Sequence, residues 1–469
     1  MGGDRGLPAP RDAVLGALHA PLRRARRPDG GDGGAGREPV PAARGRVSYR
    51  GPKGTYDVYP GGRDPHERPE LWARVERVAR DLFRRYNYAE SRLPVFEEAE
   101  LFVRSSGETS DIVTKEMFLF TDKGGRELAL RPEGTPGVVR SYIEHGLYGA
   151  AQPVKTWYMG PMFRHERQQK GRYRQHVQIG VEVLGSPDPL VDVEVISLLY
   201  NLHKTMGVRD EVVYLNNLGD FETRSRYVPE LREFLRRHEA DLDPDSRARL
   251  DKNPMRTFDS KSKETQAVLD EAPLIGEFLS DDARAHLSAV EKGLEAVGVP
   301  YRVDERLVRG LDYYTMTVFE AKSGALGAQD TVGAGGRYNG LVEALGGPDM
   351  PGIGFGTGVE RILLAANAPP EEDGLDVYFV TLAPEARLPA MALASSLRAE
   401  GLRCDLDYAD RSAKGQFKQA DRTNARFAIV IGDEELARNA LKLRDMSSGE
   451  EKVLDLGEGA PAVLRAVGV

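Results

Sequence analysis

A single cysteine, Cys404, is all that these 469 residues contain. An intrachain disulfide and a cysteine-rich zinc site are therefore excluded, and a reducing cytoplasm is the compartment expected. No apolar run approaches the roughly 20 residues that span a bilayer, so no membrane segment is expected. The N-terminus lacks the charged-then-apolar order of a secretory signal. Internal repeats and coiled-coil heptads are missing as well. So is any surplus of positive charge: 65 Lys and Arg against 73 Asp and Glu leave a net charge of −8. That balance argues against coating nucleic acid through a global field but leaves room for local basic patches.

What is present is length, with an ordinary globular composition of 40% hydrophobic and 29% charged residues. A chain this long exceeds one hydrophobic core, so two or three domains are expected. Residues 1–46 form a basic Gly/Pro/Arg-rich tail without apolar periodicity, which predicts disorder. Asp4, Asp12, Asp29 and Asp32 count against an organelle transit peptide there. Order is expected from "GTYDVYP" onward, followed by a helix carrying Leu71, Val75, Val78, Ala79 and Leu82 at helical spacing. Strand-like patterning fills 47–218 and returns over 301–368, while 219–300 reads as helices. A helical insertion splitting one mainly antiparallel β domain is the expectation. Residues 369–374 lie in an acidic, Pro- and Gly-containing linker. From 375 to 469 strands alternate with helices, as in a small α/β domain with a largely parallel sheet.

The densest chemistry lies in "GPMFRHERQQKGRYRQHVQIGVEVLG", residues 160–185. Arg164, Arg167, Lys170, Arg172 and Arg174 face only Glu166 as an opposing charge, on two strands joined by a basic turn. Planar guanidinium forks match phosphate and carboxylate oxygens, although a solvated basic hairpin would look the same. His165 and His176 lack a further His or Cys cluster, so packing roles are expected and no metal ligand is assigned.

This stretch resembles the second of three motifs shared by class II aminoacyl-tRNA synthetases. "GIGFGTGVERILL" (352–364) resembles the third, and the helix from Leu71 with "SRLPVFEE", including Pro94, the first. "LRPEGTPGVVR", "RLDKNPMRTFDSK", "LVRGLDYYTMTVFE" and "GAGGRYNGL" narrow the resemblance to histidyl-tRNA synthetases, from about Gly54 to the C-terminus. It implies an α+β fold: a class II antiparallel-sheet catalytic domain with a helical insertion, plus a C-terminal α/β anticodon-binding domain. The implied substrates are ATP, L-histidine and tRNA(His), with magnesium on the outer phosphates, in a cytoplasmic homodimer.

The resemblance also implies roles. Arg164 and Arg309 would be catalytic and border the histidine, Arg164 holding the histidine carboxylate and the α-phosphate and Arg309 the α-phosphate from the other side. Arg361, with Glu166 and Arg172, would hold the rest of ATP. Glu133, Gly134, Thr135 and Gln178 would take the ammonium and backbone of histidine. Glu182 and Tyr314 would bind the imidazole, and Tyr313 would close the pocket. Arg167 and Gln169 would reach the tRNA acceptor end. Lys414, Lys418 and Arg422, at i, i+4, i+8, would contact tRNA from the C-terminal domain. Three positions depart from the family pattern: Gln168 for proline, His176-Val177 for Phe-His, and Asn339 for aspartate. Asp312 receives no role. The rival expectation is a synthetase-like regulatory subunit of ATP phosphoribosyltransferase. Such paralogues lack the anticodon-binding domain and degrade the arginine-tyrosine motif, whereas this chain keeps both.

Overall fold

The computed structural model describes residues 50–107, 110–166, 171–327, 330–366 and 374–468. The 1–46 tail, Arg167, Gln168, Gln169 and the linker residues 369–373 lie outside the described residues.

Period-two alternation builds the central sheet. In the strand Gln175–Leu184, Ile179, Val181 and Val183 join the main apolar core, while Gln178, Gly180 and Glu182 point to the opposite face. The eight strands run in the order Ala89–Glu90, Val154–Phe163, Gln175–Leu184, Gly352–Gly358, Thr331–Arg337, Thr315–Ser323, Glu211–Asn217 and Tyr301–Val303. Every interior pairing is antiparallel, and only the two short edge strands pair parallel.

Helices cover the apolar face. Pro69–Arg85 contributes Val75, Ala79 and Phe83, and Pro189–Met206 contributes Leu198, Leu199 and Leu202. The expected helix from Leu71 is thus present, started by Pro69 in its first turn. Within "GAGGRYNGL" one arginine is structural: Arg337 is 1% exposed and pairs with the fully buried Asp192 at 2.5 Å. Its remaining donors reach the carbonyls of Ser186 and Asp188, so the buried charge is neutralised and hydrogen-bonded.

Between the strands Glu211–Asn217 and Tyr301–Val303 lie the helices Phe221–Arg237, Pro244–Arg249, Lys263–Leu269 and Asp281–Val297. Asp220, Asp243, Ser262 and Ser280 cap their N-termini by accepting backbone N–H groups. The first three pack around Leu231, Leu235, Leu250 and Leu269, together with Val308, Tyr314 and Val318 from the chain that re-enters the sheet. The last helix leans the other way, burying Val290 and Leu294 in the main core.

A small antiparallel sheet, Phe96–Glu98, Glu127–Leu130 and Phe118–Thr121, exposes Phe96 and Phe120 with ring centroids 6.1 Å apart. In the C-terminal domain, Cys404–Leu406, Val377–Thr381 and Phe427–Ile431 pair parallel. An antiparallel hairpin, Ala440–Asp445 and Glu451–Asp455, extends this sheet and was not anticipated from the sequence. Cys404 is buried. Among the described residues no helix is long and apolar enough to cross a membrane.

Candidate active site

The face of the central sheet opposite the helices is polar because one strand has almost no side chains. Gly354 pairs with Glu182, and a Cβ on Gly354 would fall 2.0 Å from Glu182 Oε2. A Cβ on Gly356 would fall 2.2 Å from Gln178 Nε2. The glycines of "GIGFGTG" therefore let the neighbouring strand's polar side chains lie across the sheet.

Above this floor opens a cavity of about 340 Å³. Glu133, Thr135, Arg164, Glu166, Arg172, Gln178, Arg309, Tyr313, Tyr314 and Arg361 all line it. Segments more than two hundred residues apart in the chain thus meet in one concavity, as a ligand site requires. Each arginine is oriented by a neighbour. Arg164 Nε donates to the Pro132 carbonyl at 2.8 Å, and Arg361 Nε to the Thr331 carbonyl at 2.6 Å. Arg172 reaches Glu166 at 3.4 Å. Arg309 is ion-paired with Glu320, whose other oxygen takes the Thr331 hydroxyl at 3.2 Å.

Two further carboxyl groups accept neutral hydroxyls. Glu133 accepts the Tyr313 hydroxyl at 2.7 Å and the Ser106 hydroxyl at 2.8 Å. Burial raises its pKa, against the pull of those donors and of Arg164. Glu182 is fully buried behind the cavity rather than lining it. Its oxygens accept from Thr135 and Tyr338, each at 2.6 Å. Gln178 Nε2 donates to Tyr158 at 3.1 Å, and Tyr158 points on to Glu182 at 3.4 Å. Burial pushes the Glu182 carboxyl up to about 8. Gly134, at the start of the helix Thr135–Glu144, leaves room for the Tyr158 ring, which a Cβ would meet at 2.2 Å.

Tyr313 and Tyr314 sit in the turn before the strand Thr315–Ser323, not within it. Alternation therefore does not separate them, and their rings lie 4.7 Å apart on the same cavity wall.

Several lining residues escaped the sequence reading. Tyr338 and Glu320 stood inside quoted motifs without a role, whereas Glu116 had no sequence signal. His176 also lines the cavity, and burial followed by Arg164 drives its pKa down to about 3. Its neighbour Val177 packs into the core, and its N–H donates to Glu360 at 2.8 Å. Asn339 is exposed, its N–H on the Thr315 hydroxyl. Asp312 accepts from Asn253 Nδ2 at 2.8 Å. In the C-terminal domain Lys414, Lys418 and Arg422 are exposed on the helix Ala413–Arg422. The same helix packs Phe417 and Ala420 against Tyr378 and Val430.

An antiparallel sheet with a glycine strand, helices on one face and arginines converging on the other defines a class II aminoacyl-tRNA synthetase. The family model "Histidyl-tRNA synthetase" matches residues 65–362, and "Anticodon binding domain" matches 376–465. The histidine–tRNA ligase of Rubrobacter xylanophilus is 72% identical over 424 residues, spanning 90% of this chain and 100% of the relative. That of Latilactobacillus sakei is 48% identical, spanning 87% and 95%. The crystal structure of apo S. aureus histidyl-tRNA synthetase matches with a TM-score of 0.75 and 37% identity, covering 90% of this chain and all of that one. The chain belongs to the histidyl-tRNA synthetase family.

Glu182 generates a pH prediction for the unliganded protein. Its carboxyl titrates near 8 when folded and near the ordinary 4.5 when unfolded. The stability it contributes is full below about 4.5 and is lost as pH rises through about 8. Glu182→Gln cannot ionise, so stability relative to this variant should fall across that window, on the order of 4 kcal/mol. Urea unfolding followed by tryptophan fluorescence reads the difference, since Trp72 and Trp157 are the two tryptophans and both pack at the main core. Equal pH slopes for the two proteins would contradict the assignment.

Proposed function

We propose that this protein attaches L-histidine to the 3′ end of its tRNA, using ATP and passing through histidyl-adenylate. The observation that carries the reading is the meeting of Arg164, Arg309 and Arg361 with the Glu133 and Glu182 network in one cavity.

The histidine carboxylate is ionised at neutral pH, so attack on the ATP α-phosphorus needs no general base. What it needs is two anions held in line and charge stabilised as diphosphate leaves. Arg164 and Arg309 take that task from two sides. Arg361, with Glu166 and Arg172, holds the remainder of the nucleotide. Glu133, Thr135 and Gln178 receive the ammonium and backbone of histidine beside Gly134. Glu182 and Tyr314 frame the imidazole, with Tyr313 as the wall. A pocket of buried polar groups rejects an apolar isostere strongly, because its own groups would be left unpaired. In the second step a terminal ribose hydroxyl attacks the activated carbonyl and AMP leaves.

Magnesium would be carried on the ATP phosphates; Glu166 and Glu320 at the cavity are already paired with Arg172 and Arg309, so no protein carboxylate set is assigned to it. The metal would offset phosphate charge. The same reading divides the chain into a catalytic domain, 47–218 and 301–368, an insertion, 219–300, and an anticodon-binding domain, 375–469. It also places the protein in the cytoplasm, where its tRNA is charged. The regulatory-subunit reading is not favoured, since the anticodon-binding match and the Arg309–Tyr314 segment are both retained.

The test is ATP–pyrophosphate exchange. Histidine should support it among the twenty amino acids, and its failure in folded, magnesium-supplied protein would sink the proposal. Arg309→Ala should lower the exchange rate by about 10²-fold or more with little change in histidine KM, because its charge matters most in the transition state.

Contacts to the tRNA acceptor end are assigned to Arg167 and Gln169, and contacts from the C-terminal domain to Lys414, Lys418 and Arg422. Replacing Lys414, Lys418 and Arg422 together by Ala should raise KM for tRNA several-fold while leaving pyrophosphate exchange unchanged. A drop in exchange would show that these residues serve the fold instead.

A homodimer joined through the small sheet is part of the proposal, supported by the exposed Val95, Phe96, Leu119 and Phe120. Sedimentation equilibrium should return twice the 51.6 kDa chain mass, and Phe96→Glu should weaken association. A monomer at micromolar concentration would remove this element.

A further inference from the structure

The insertion touches the cavity's catalytic loop through charged residues that the proposed mechanism leaves unused. Asp111, at the start of the turn Ile112–Glu116, takes Arg249 Nη2 at 2.8 Å and Arg256 Nη2 at 3.4 Å. Arg256 is 7% exposed, and its Nε pairs with Asp259 Oδ2 at 2.9 Å. The Arg256 guanidinium also lies against Gly310, where a Cβ would stand 3.7 Å from Nη1. Two residues further on, Asn253 Nδ2 donates to Asp312 Oδ1 at 2.8 Å. Asp312 is in turn seated so closely on Gly107 that a Cβ there would fall 2.3 Å from Oδ2. Gly107 has φ of 84°, a conformation that suits glycine.

Arg309 is the residue these contacts surround. Glu320 of the sheet is ion-paired with it, and on the insertion side Asp259 holds the Arg256 guanidinium that lies against the adjacent Gly310. A guanidinium on a turn has freedom to swing. Glu320 on the guanidinium, with Arg256 against Gly310 and Asn253 bonded to Asp312, limits that freedom.

We propose that Asp259, acting through Arg256 and alongside Asn253, fixes the turn that carries the Arg309 guanidinium, so that the helical insertion sets the geometry of the phosphate-facing charge. The inference rests on the reading of Arg309 as the cation at the α-phosphate. Asp259 itself touches no substrate; it acts through Arg309. Small displacements of such a group are costly, since misplacement by about 1 Å can lower a rate by roughly 10²-fold.

The experiment is a double-mutant cycle in pyrophosphate exchange with the full chain. Asp259→Asn keeps the shape of the side chain and removes its charge. It should lower kcat about tenfold with KM for histidine and ATP within about twofold, and Asp259→Glu should recover part of the loss. In the Arg309→Ala background, Asp259→Asn should cost nothing further, because its route of action is already gone. Asn253→Ala, a milder change that cuts only the tie to Asp312, should show the same pattern and serves if Asp259→Asn does not fold. Additive losses, or an unchanged kcat in Asp259→Asn, would overturn the positioning role. An Arg309→Ala protein with normal exchange would instead overturn the reading of Arg309.

Discussion

Everything in the cavity depends on the register between two neighbouring strands. Gly354 sits opposite Glu182, and Gly356 opposite Gly180, so the space a side chain would fill belongs to Glu182 and Gln178. A slip of one residue would turn Ile179, Val181 and Val183 into the cavity and drive Glu182 into the apolar core. The core is therefore what holds the polar face in place. Helices Pro69–Arg85 and Pro189–Met206 pin that register from behind, and the buried Arg337–Asp192 pair ties the sheet to the second of them.

On this floor the charges are interleaved, Glu320 with Arg309 and Glu166 with Arg172. Glu133 accepts tyrosine and serine hydroxyls at the cavity, and Glu182 sits behind Thr135 and Tyr338. The carboxyls are raised by burial and the hydroxyls donate to them, so each group is satisfied before any substrate arrives. Such a site needs little reorganisation when charge develops. The arginines, too, are held by carbonyls or carboxylates rather than left to sample solvent.

The insertion enters the same scheme as more than an appendage. Its capped helices make their own small core with Val308, Tyr314 and Val318, so the turn bearing Arg309 is packed between insertion and sheet. Its last helix bridges to the main core, with Ala283 in the small core and Val290 and Leu294 in the main one, which the helical periodicity of the segment gives no means of telling. Charged contacts from Asn253 to Asp259 finish the junction and give Asp312 a partner.

Much of this was legible in the chain. Helical spacing from Leu71, alternation over 175–184 and the glycines of 352–358 report local backbone periodicity, which the sequence carries directly. The basic stretch around Arg164 pointed to phosphate or carboxylate chemistry by residue type, and the imidazole reading of the motif at 307–320 came from its family resemblance. Other features were decided only by tertiary structure. Tyr313 and Tyr314 face one wall because they fall in a turn, and Glu182 lies behind Thr135 and Tyr338 because the sheet buries it. Glu116, Arg256 and Asn253 reach the cavity or its loop from distant segments. Local pattern sets which face a residue occupies; only packing decides what stands opposite it, because contacts across hundreds of residues leave no periodic trace.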